Sequence, residues 1–141
     1  MTPEEIAAAL RGPLPGIAAQ KRMVVRPRLG GFAPPPGESP KEGGVLILLY
    51  PQNDAWHLPL ILRTENGGVH SGQVSLPGGA REHTETLAQT ALRETHEELG
   101  VSPQDVTLMG TLTTLYIPSS GYCITPSVGY VRYRPDFRPD P

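Results

Sequence analysis

The chain has 141 residues, which is enough for one domain with a core of its own. Its 12 basic and 14 acidic residues give a net charge of −2, so there is no broad basic field to attract nucleic acid or an anionic membrane surface. A small-molecule partner is therefore expected. The single cysteine, Cys123, excludes an internal disulfide and is typical of a protein of the reducing cytoplasm.

The first predicted element is a short helix close to the N-terminus. Thr2 has the character of an N-cap, and Pro3 suits the first helical position. Glu5 is placed to reach back and complete a capping box. These signals predict a helix that continues through residues 6–10.

A segment rich in proline and glycine follows, over residues 12–44. Proline lacks the backbone N–H, so this composition disfavours helix and interior strand alike. We therefore interpret residues 1–43 as an N-terminal helix with an irregular lead-in, and residues 44–141 as the main domain.

Two apolar runs of strand length come next, at residues 44–50 and 56–62. The turn-like sequence at 51–54 separates them, so together they predict a hairpin. Pro59 cannot donate a ladder hydrogen bond, which predicts that the second strand is an edge strand or is bulged there.

Residues 73–76 predict a strand that stops at the turn Pro77-Gly78-Gly79, whose glycines permit close approach of the backbone to a ligand. A helix is predicted after it. Thr86 and Gln89 form a second capping-box pattern, and small or apolar side chains recur at helical spacing until Gly100.

Two more strands are predicted beyond this helix, at residues 106–117 and 125–133, on either side of a turn at 118–121. Strands on both sides of a helix indicate an α/β (α+β) domain.

Three glutamates, Glu94, Glu97 and Glu98, crowd onto little more than one turn of the predicted helix. At about 100° per residue they share one sector beside the apolar face. Like charges at this spacing repel each other unless a cation lies between them. A solvated helix face is the alternative interpretation, because charge clusters are common on exposed helices.

A resemblance of the surrounding residues to a known signature favours the cation. This segment resembles the signature of the Nudix hydrolases, G-x5-E-x7-R-E-U-x-E-E-x-G-U, in which U is a bulky aliphatic residue. Its fixed positions are filled here by Gly79, Glu85, Arg93, Glu94, Glu97, Glu98 and Gly100. Val101 fits the last aliphatic position, whereas Thr95 occupies the first.

The resemblance implies an α/β/α sandwich with a mixed central sheet and an enzyme that cleaves a diphosphate with Mg²⁺, or alternatively Mn²⁺. Magnesium is a hard ion that prefers oxygen ligands. The implied metal ligands are the carboxylates of Glu94, Glu97 and Glu98 and the backbone carbonyl of Gly79. The same glutamates are the catalytic candidates, and Glu94 is also the candidate for polarising the attacking water.

Arg93 and Glu85 complete the catalytic set, and the resemblance implies that they form a salt bridge that fixes the loop against the helix. The general base is not identified, because some family members place it on a loop beyond this helix. His83 and His96 lie near the site in sequence, and we expect both to be exposed and without a role in it.

The residues upstream resemble the coenzyme A pyrophosphatase branch of the family, which carries H-x-G-Q-V-x-F-P-G-G before the signature. Residues 70–79 read HSGQVSLPGG, and the likeness extends over about residues 44–133. It implies hydrolysis of coenzyme A or an acyl-CoA to 4′-phosphopantetheine and adenosine 3′,5′-bisphosphate. The substrate-binding candidates are Arg63, His70, Gln73 and Arg81.

Two departures keep other substrates open: Gly67-Gly68-Val69 stands where the branch carries Leu-Arg, and Leu76 replaces an aromatic residue. A dinucleotide or a nucleotide sugar is the alternative substrate. A catalytically silent Nudix domain that binds a nucleotide or a partner is the alternative of another class. The family fold continues with a strand and a helix where this sequence reads RPDFRPDP, so we expect both to be lacking. The chain is then either a fragment or a protomer whose exposed sheet is covered by a partner, for which a homodimer is the candidate.

Overall fold

A computed structural model describes residues 1–24, 30–62 and 72–139. The helices are α1 (Pro3–Leu10), α2 (Gly16–Met23) and α3 (Leu87–Leu99), with one 3₁₀ turn at Pro103–Asp105. The strands are β1 (Lys41–Gln52), β2 (Ala55–His57), β3 (Ile61–Leu62), β4 (Val74–Ser75), β5 (Gly78–Ala80), β6 (Thr107–Thr111), β7 (Leu115–Ile117) and β8 (Tyr122–Tyr130). Within the described ranges, no helix has the length and apolar character needed to cross a membrane.

The central sheet is mixed, as predicted, and has six strands within the described ranges. Its two long strands, β1 and β8, pair in parallel. Strands β2 and β5 pair antiparallel with β1, and strands β6 and β7 pair antiparallel with β8. Strands β3 and β4 form a separate antiparallel pair. The predicted α/β class is thus confirmed.

The core lies between β1 and α3. Alternate residues of β1 point into it, and α3 covers them with small and apolar side chains. Gly44 lets the helix approach the strand, because a Cβ there would collide with the backbone carbonyl of Leu87 and would lie 3.1 Å from the backbone nitrogen of Ala91. The buried cluster consists of Leu46, Leu48, Tyr50, Ala91, Leu99, Val101 and Val131.

The local signals for two helices are confirmed. In α1, Thr2 and Glu5 form the predicted capping box. In α3, Thr86 and Gln89 form the second one, and Gly100 ends the helix in the left-handed conformation, with φ of 71°. These predictions succeed because capping depends on residues only three positions apart.

The prediction of an irregular lead-in was wrong for α2. Its residues, GIAAQKRM, include several good helix formers, and apart from Gly16 at its start the helix contains none of the prolines and glycines that dominate the segment. Strand β1 also begins at Lys41, before the expected domain boundary at residue 44, because Lys41 and Glu42 already pair with β8.

The turn predicted at Pro77-Gly78-Gly79 was wrong in part, since Gly78 and Gly79 lie in β5. They pair with Val45 and Gly44 of β1.

The apolar run at 56–62 also divides into two strands, because β2 ends at His57 and β3 begins at Ile61, with Pro59 between them. The predicted hairpin is confirmed for β1 and β2.

The strand predicted at 106–117 divides into β6 and β7. The register of β6 against β8 shifts between Leu108 and Gly110. Between the two strands, the side-chain amide of Gln20 donates to the carbonyl oxygens of Thr113 and Thr114, at 3.3 Å each. Those carbonyls therefore bond to α2 rather than to a neighbouring strand. The last strand, β8, overlaps the prediction at 125–133 but is shifted by three residues, since it begins at Tyr122 and ends at Tyr130.

Candidate functional site

The candidate site lies where one edge of α3 meets β5. Helix α3 buries Thr90, Ala91, Thr95 and Leu99 against the sheet. The glutamates predicted for the site follow the adjacent edge, where Glu94 and Glu98 are half-buried and Glu97 is 56% exposed. The helix therefore uses one face for the core and presents carboxylates beside it.

Arg93 connects the helix to the preceding loop. Its Nε donates to Oε1 of Glu85 at 2.8 Å, and its Nη2 donates to Oε2 of Glu85 at 3.2 Å and to the carbonyl oxygen of Ala80 at 3.1 Å. Its Nη1 donates to Oε1 of Glu94 at 2.9 Å and to Oε2 of Glu97 at 3.2 Å. These five bonds use all five N–H donors of the guanidinium.

In the ion pair of Glu85 and Arg93, each residue stabilises the ionised form of the other. The hydrogen bond from Arg93 lowers the pKa of Glu85 from 4.5 to about 2, and Thr90 and the backbone N–H of Glu82 act in the same direction. Glu85 in turn is the largest cause of a raised pKa for Arg93. Both groups are therefore held ionised, and the predicted salt bridge between them is present.

Glu98 is anchored to the sheet. The backbone N–H of Gly78 donates to its Oε2 at 2.9 Å. Gly78 has φ of 152°, and a Cβ there would lie 2.6 Å from Cα of Val45, so only glycine fits. The end of α3 is thereby joined to β5.

The carboxylate of Glu94 lies over Gly79. A Cβ on Gly79 would fall 2.5 Å from Cδ of Glu94, which is closer than two carbon atoms that are not bonded to each other can approach. The carboxylate of Glu94 can therefore occupy this position only because residue 79 has no side chain.

The donor atoms of this edge suit a hard divalent ion, since they are carboxylate oxygens beside the backbone of a glycine. Across the described part of the chain, however, no three Asp, Glu, His or Cys side chains are arranged closely enough to share one ion. Glu94 and Glu97 share Nη1 of Arg93 instead, and Glu98 is bonded to Gly78. The oxygen donors are of the kind that a divalent cation prefers, while in this arrangement Glu94 and Glu97 bind Arg93.

The substrate-binding candidates lie in different places. Arg63 and His70 fall outside the described residues. Gln73 is exposed just before β4. Arg81 forms an ion pair with Glu42, through its Nη1 and Oε2 of the glutamate, so its charge is already partly balanced. The two histidines near the site in sequence, His83 and His96, are exposed.

Sequence reasoning missed four groups that the structure places at the site: the carbonyl of Ala80, the N–H of Gly78, the carboxylate of Glu42 and the hydroxyl of Thr90. Two of them are backbone atoms, which carry no residue signal. Glu42 lies 39 residues from Arg81 along the chain, and only the β1–β5 pairing brings them together.

The family model described as "NUDIX domain" matches residues 40–134. The chain is 40% identical over 84 residues to an uncharacterized Nudix hydrolase, NudL, of Pectobacterium atrosepticum, covering 59% of this chain and 43% of the relative. It is 38% identical over 105 residues to the chloroplastic Nudix hydrolase 22 of Arabidopsis thaliana, covering 72% of this chain and 34% of the relative. The chain thus spans less than half the length of these curated relatives.

Solved structures share the fold. The Nudix hydrolase RenU from M. smegmatis superposes with a TM-score of 0.62 at 22% identity, over 79% of this chain and 73% of that one. An Ap4A hydrolase of C. elegans superposes with a TM-score of 0.59 at 15% identity, over 71% of this chain and 72% of that one. At these identities the likeness concerns the fold alone.

Proposed function

The chain belongs to the Nudix superfamily, and from this membership we propose that it hydrolyses a diphosphate linkage in a nucleoside-diphosphate derivative with the help of a divalent metal ion. The observation that carries the proposal is the joining of Glu85, Arg93, Glu94 and Glu97 in one hydrogen-bonded network at the edge of α3. A plain solvated helix face would not require this connection to the loop.

The proposed ligands are the carboxylates of Glu94, Glu97 and Glu98, with the carbonyl of Gly79 as a fourth candidate. Magnesium is the expected ion and manganese the alternative. When bound, the ion supplies positive charge that neutralises the phosphates of the substrate. Glu94 is also the candidate for polarising the attacking water.

The other residues of the network hold the carboxylates in place. Arg93 fixes Glu94 and Glu97 through one nitrogen, and Glu85 fixes Arg93 from the loop side. The N–H of Gly78 fixes Glu98 against β5. In phosphoryl transfer most of the catalysis comes from positioning and charge, so this support contributes directly to the rate.

Coenzyme A or an acyl-CoA is the proposed substrate, and the sequence of residues 70–79 supports it. The products would be 4′-phosphopantetheine and adenosine 3′,5′-bisphosphate. A dinucleotide or a nucleotide sugar is the second candidate, because Gly67-Gly68-Val69 departs from the coenzyme A pattern. The cytoplasmic location and the homodimer stay predictions from the sequence.

The test is a substrate panel in ¹⁸O-labelled water with Mg²⁺ or Mn²⁺, containing coenzyme A, diadenosine tetraphosphate, ADP-ribose and a nucleotide sugar. We expect coenzyme A to be cleaved, and mass spectrometry of the two products identifies the attacked phosphorus by its label. Turnover of a nucleotide sugar with none of coenzyme A would eliminate the first substrate. Metal binding without turnover of any diphosphate would instead indicate the silent binding domain.

A further inference from the structure

We propose that Thr90 is a positioning residue of this site, because its hydroxyl fixes Glu85, which fixes the guanidinium of Arg93, which in turn holds Glu94 and Glu97. The inference rests on the proposed function. Thr90 is not a fixed position of the signature, and its hydroxyl bonds to Glu85 and Thr86 rather than to the two glutamates that it would align.

The hydroxyl of Thr90 has a well-defined acceptor. The side chain is fully buried in α3. Its Oγ1 lies 3.0 Å from Oε2 of Glu85 and 3.3 Å from the carbonyl oxygen of Thr86. A hydroxyl has one proton to donate, and an ionised acceptor forms the stronger bond. The proton therefore points to Glu85.

Glu85 needs this support because it precedes α3 and lies outside the helical hydrogen-bond ladder. Its Oε2 accepts from Thr90 at 3.0 Å, and from Nη2 of Arg93 and the N–H of Glu82 at 3.2 Å each. The bond from Thr90 is the shortest of the three, and its donor is the only one that is fully buried. Without the hydroxyl, this oxygen keeps the two longer bonds only.

The effect reaches the glutamates through Arg93. Two donors of the guanidinium bind Glu85, which sets the plane of the group, and Nη1 then lies between Glu94 and Glu97. A planar group held at one side has a fixed direction at the other. Thr90 thus acts on the two proposed ligands through two intermediate residues.

The test compares Thr90→Val, which replaces the hydroxyl with a methyl group of similar size, with Thr95→Val. Thr95 is the matched control, because it is also buried in α3 and its hydroxyl donates at 2.6 Å to the carbonyl of Ala91 within the same helix. We expect Thr90→Val to lower kcat by about 10- to 100-fold, as loss of outer-shell partners does, with KM little changed. Thr95→Val should keep the wild-type kcat.

A second pair isolates the hydroxyl again and remains informative if Thr90→Val does not fold. Thr90→Ser and Thr90→Ala both lack the γ-methyl group and differ only in the hydroxyl. Thr90→Ser should retain most of the activity, whereas Thr90→Ala should lose it. Equal activities in these two variants would overturn the proposal.

A readout that does not depend on turnover separates this proposal from the proposed function. The Nε–Hε signal of Arg93 in ¹H–¹⁵N NMR spectra of the metal-free protein reports how firmly Glu85 holds the guanidinium. We expect the signal to exchange faster with solvent in Thr90→Val and Thr90→Ala, and to be preserved in Thr90→Ser and Thr95→Val. An unchanged signal in all four variants would refute the role of Thr90, even if the wild type cleaved no diphosphate.

Discussion

Glu85 and Arg93 form a two-point ion pair, with Nε to Oε1 at 2.8 Å and Nη2 to Oε2 at 3.2 Å. The pair joins the loop after β5 to the middle of α3. Both side chains are 23% exposed, so the pair is partly shielded from water.

This pair predicts a loss of stability in acid. The pKa of Glu85 falls from 4.5 to about 2 in the folded protein, so its ionised form stabilises the fold above pH 4.5, and this contribution disappears as the pH falls from 4.5 towards 2. Glu85→Gln should therefore be less stable than the wild type at pH 7, with a gap that narrows over that window. Urea unfolding at a series of pH values measures it. Glu82→Gln, at an exposed neighbouring position, is the control, and a gap independent of pH would contradict the prediction.

The proposed metal ligands predict a large loss of rate with little loss of structure. Glu97→Gln and Glu98→Gln should each lower kcat by about 100-fold or more, because a metal ion stabilises the transition state by several kcal/mol and about 1.4 kcal/mol corresponds to a factor of ten. Circular dichroism should remain that of the wild type. Glu38→Gln, which removes an exposed charge far from these glutamates in the sequence, is the matched control. A near-normal rate in either variant would count against the ligand assignment.

Metal binding should also be visible without any substrate. An ion that binds only the folded chain stabilises it by about 2.7 kcal/mol at a hundredfold excess over Kd. Addition of Mg²⁺ or Mn²⁺ should accordingly raise the Tm of the wild type by several degrees, and chelation by EDTA should reverse the rise. Glu94→Gln should show a smaller rise, and an equal rise in that variant would place the ion elsewhere.

The contact between Gly79 and Glu94 predicts that adding a methyl group at position 79 lowers the rate of catalysis. In Gly79→Ala the new Cβ would lie 2.5 Å from Cδ of Glu94, so the carboxylate must move. We expect kcat to fall about 10- to 100-fold, as for displaced support of a metal ligand. In Gly31→Ala the new Cβ meets nothing closer than the carbonyl of Ala33 at 3.6 Å, and the rate should be unchanged. Steady-state kinetics of the two variants, with a crystal structure of the first, checks this.

The sequence predicted those parts of the fold and site that depend on near neighbours. Thr86, Gln89 and Gly100 mark the bounds of α3 because caps act over a few residues. The salt bridge of Glu85 with Arg93 followed from the resemblance, since both positions belong to the signature.

The parts that sequence reasoning missed depend on tertiary contacts or on competing local signals. The N–H of Gly78 meets Glu98 only because β5 joins the sheet at β1. Helix α2 was missed because the prolines and glycines around it outweighed a run of only eight residues. The glycines at 78 and 79 gave the signal of a turn, although in the folded chain they form a strand.

The pairing of Gly44 with Gly79 leaves a bare patch of main chain beneath α3. Main-chain atoms keep their chemistry when neighbouring side chains are replaced. The backbone beneath the glutamates of α3 would therefore stay the same while the side chains of the surrounding surface changed. Under the proposed function, substrate preference would then be set by the peripheral loops, while the backbone beneath the proposed metal ligands stays the same.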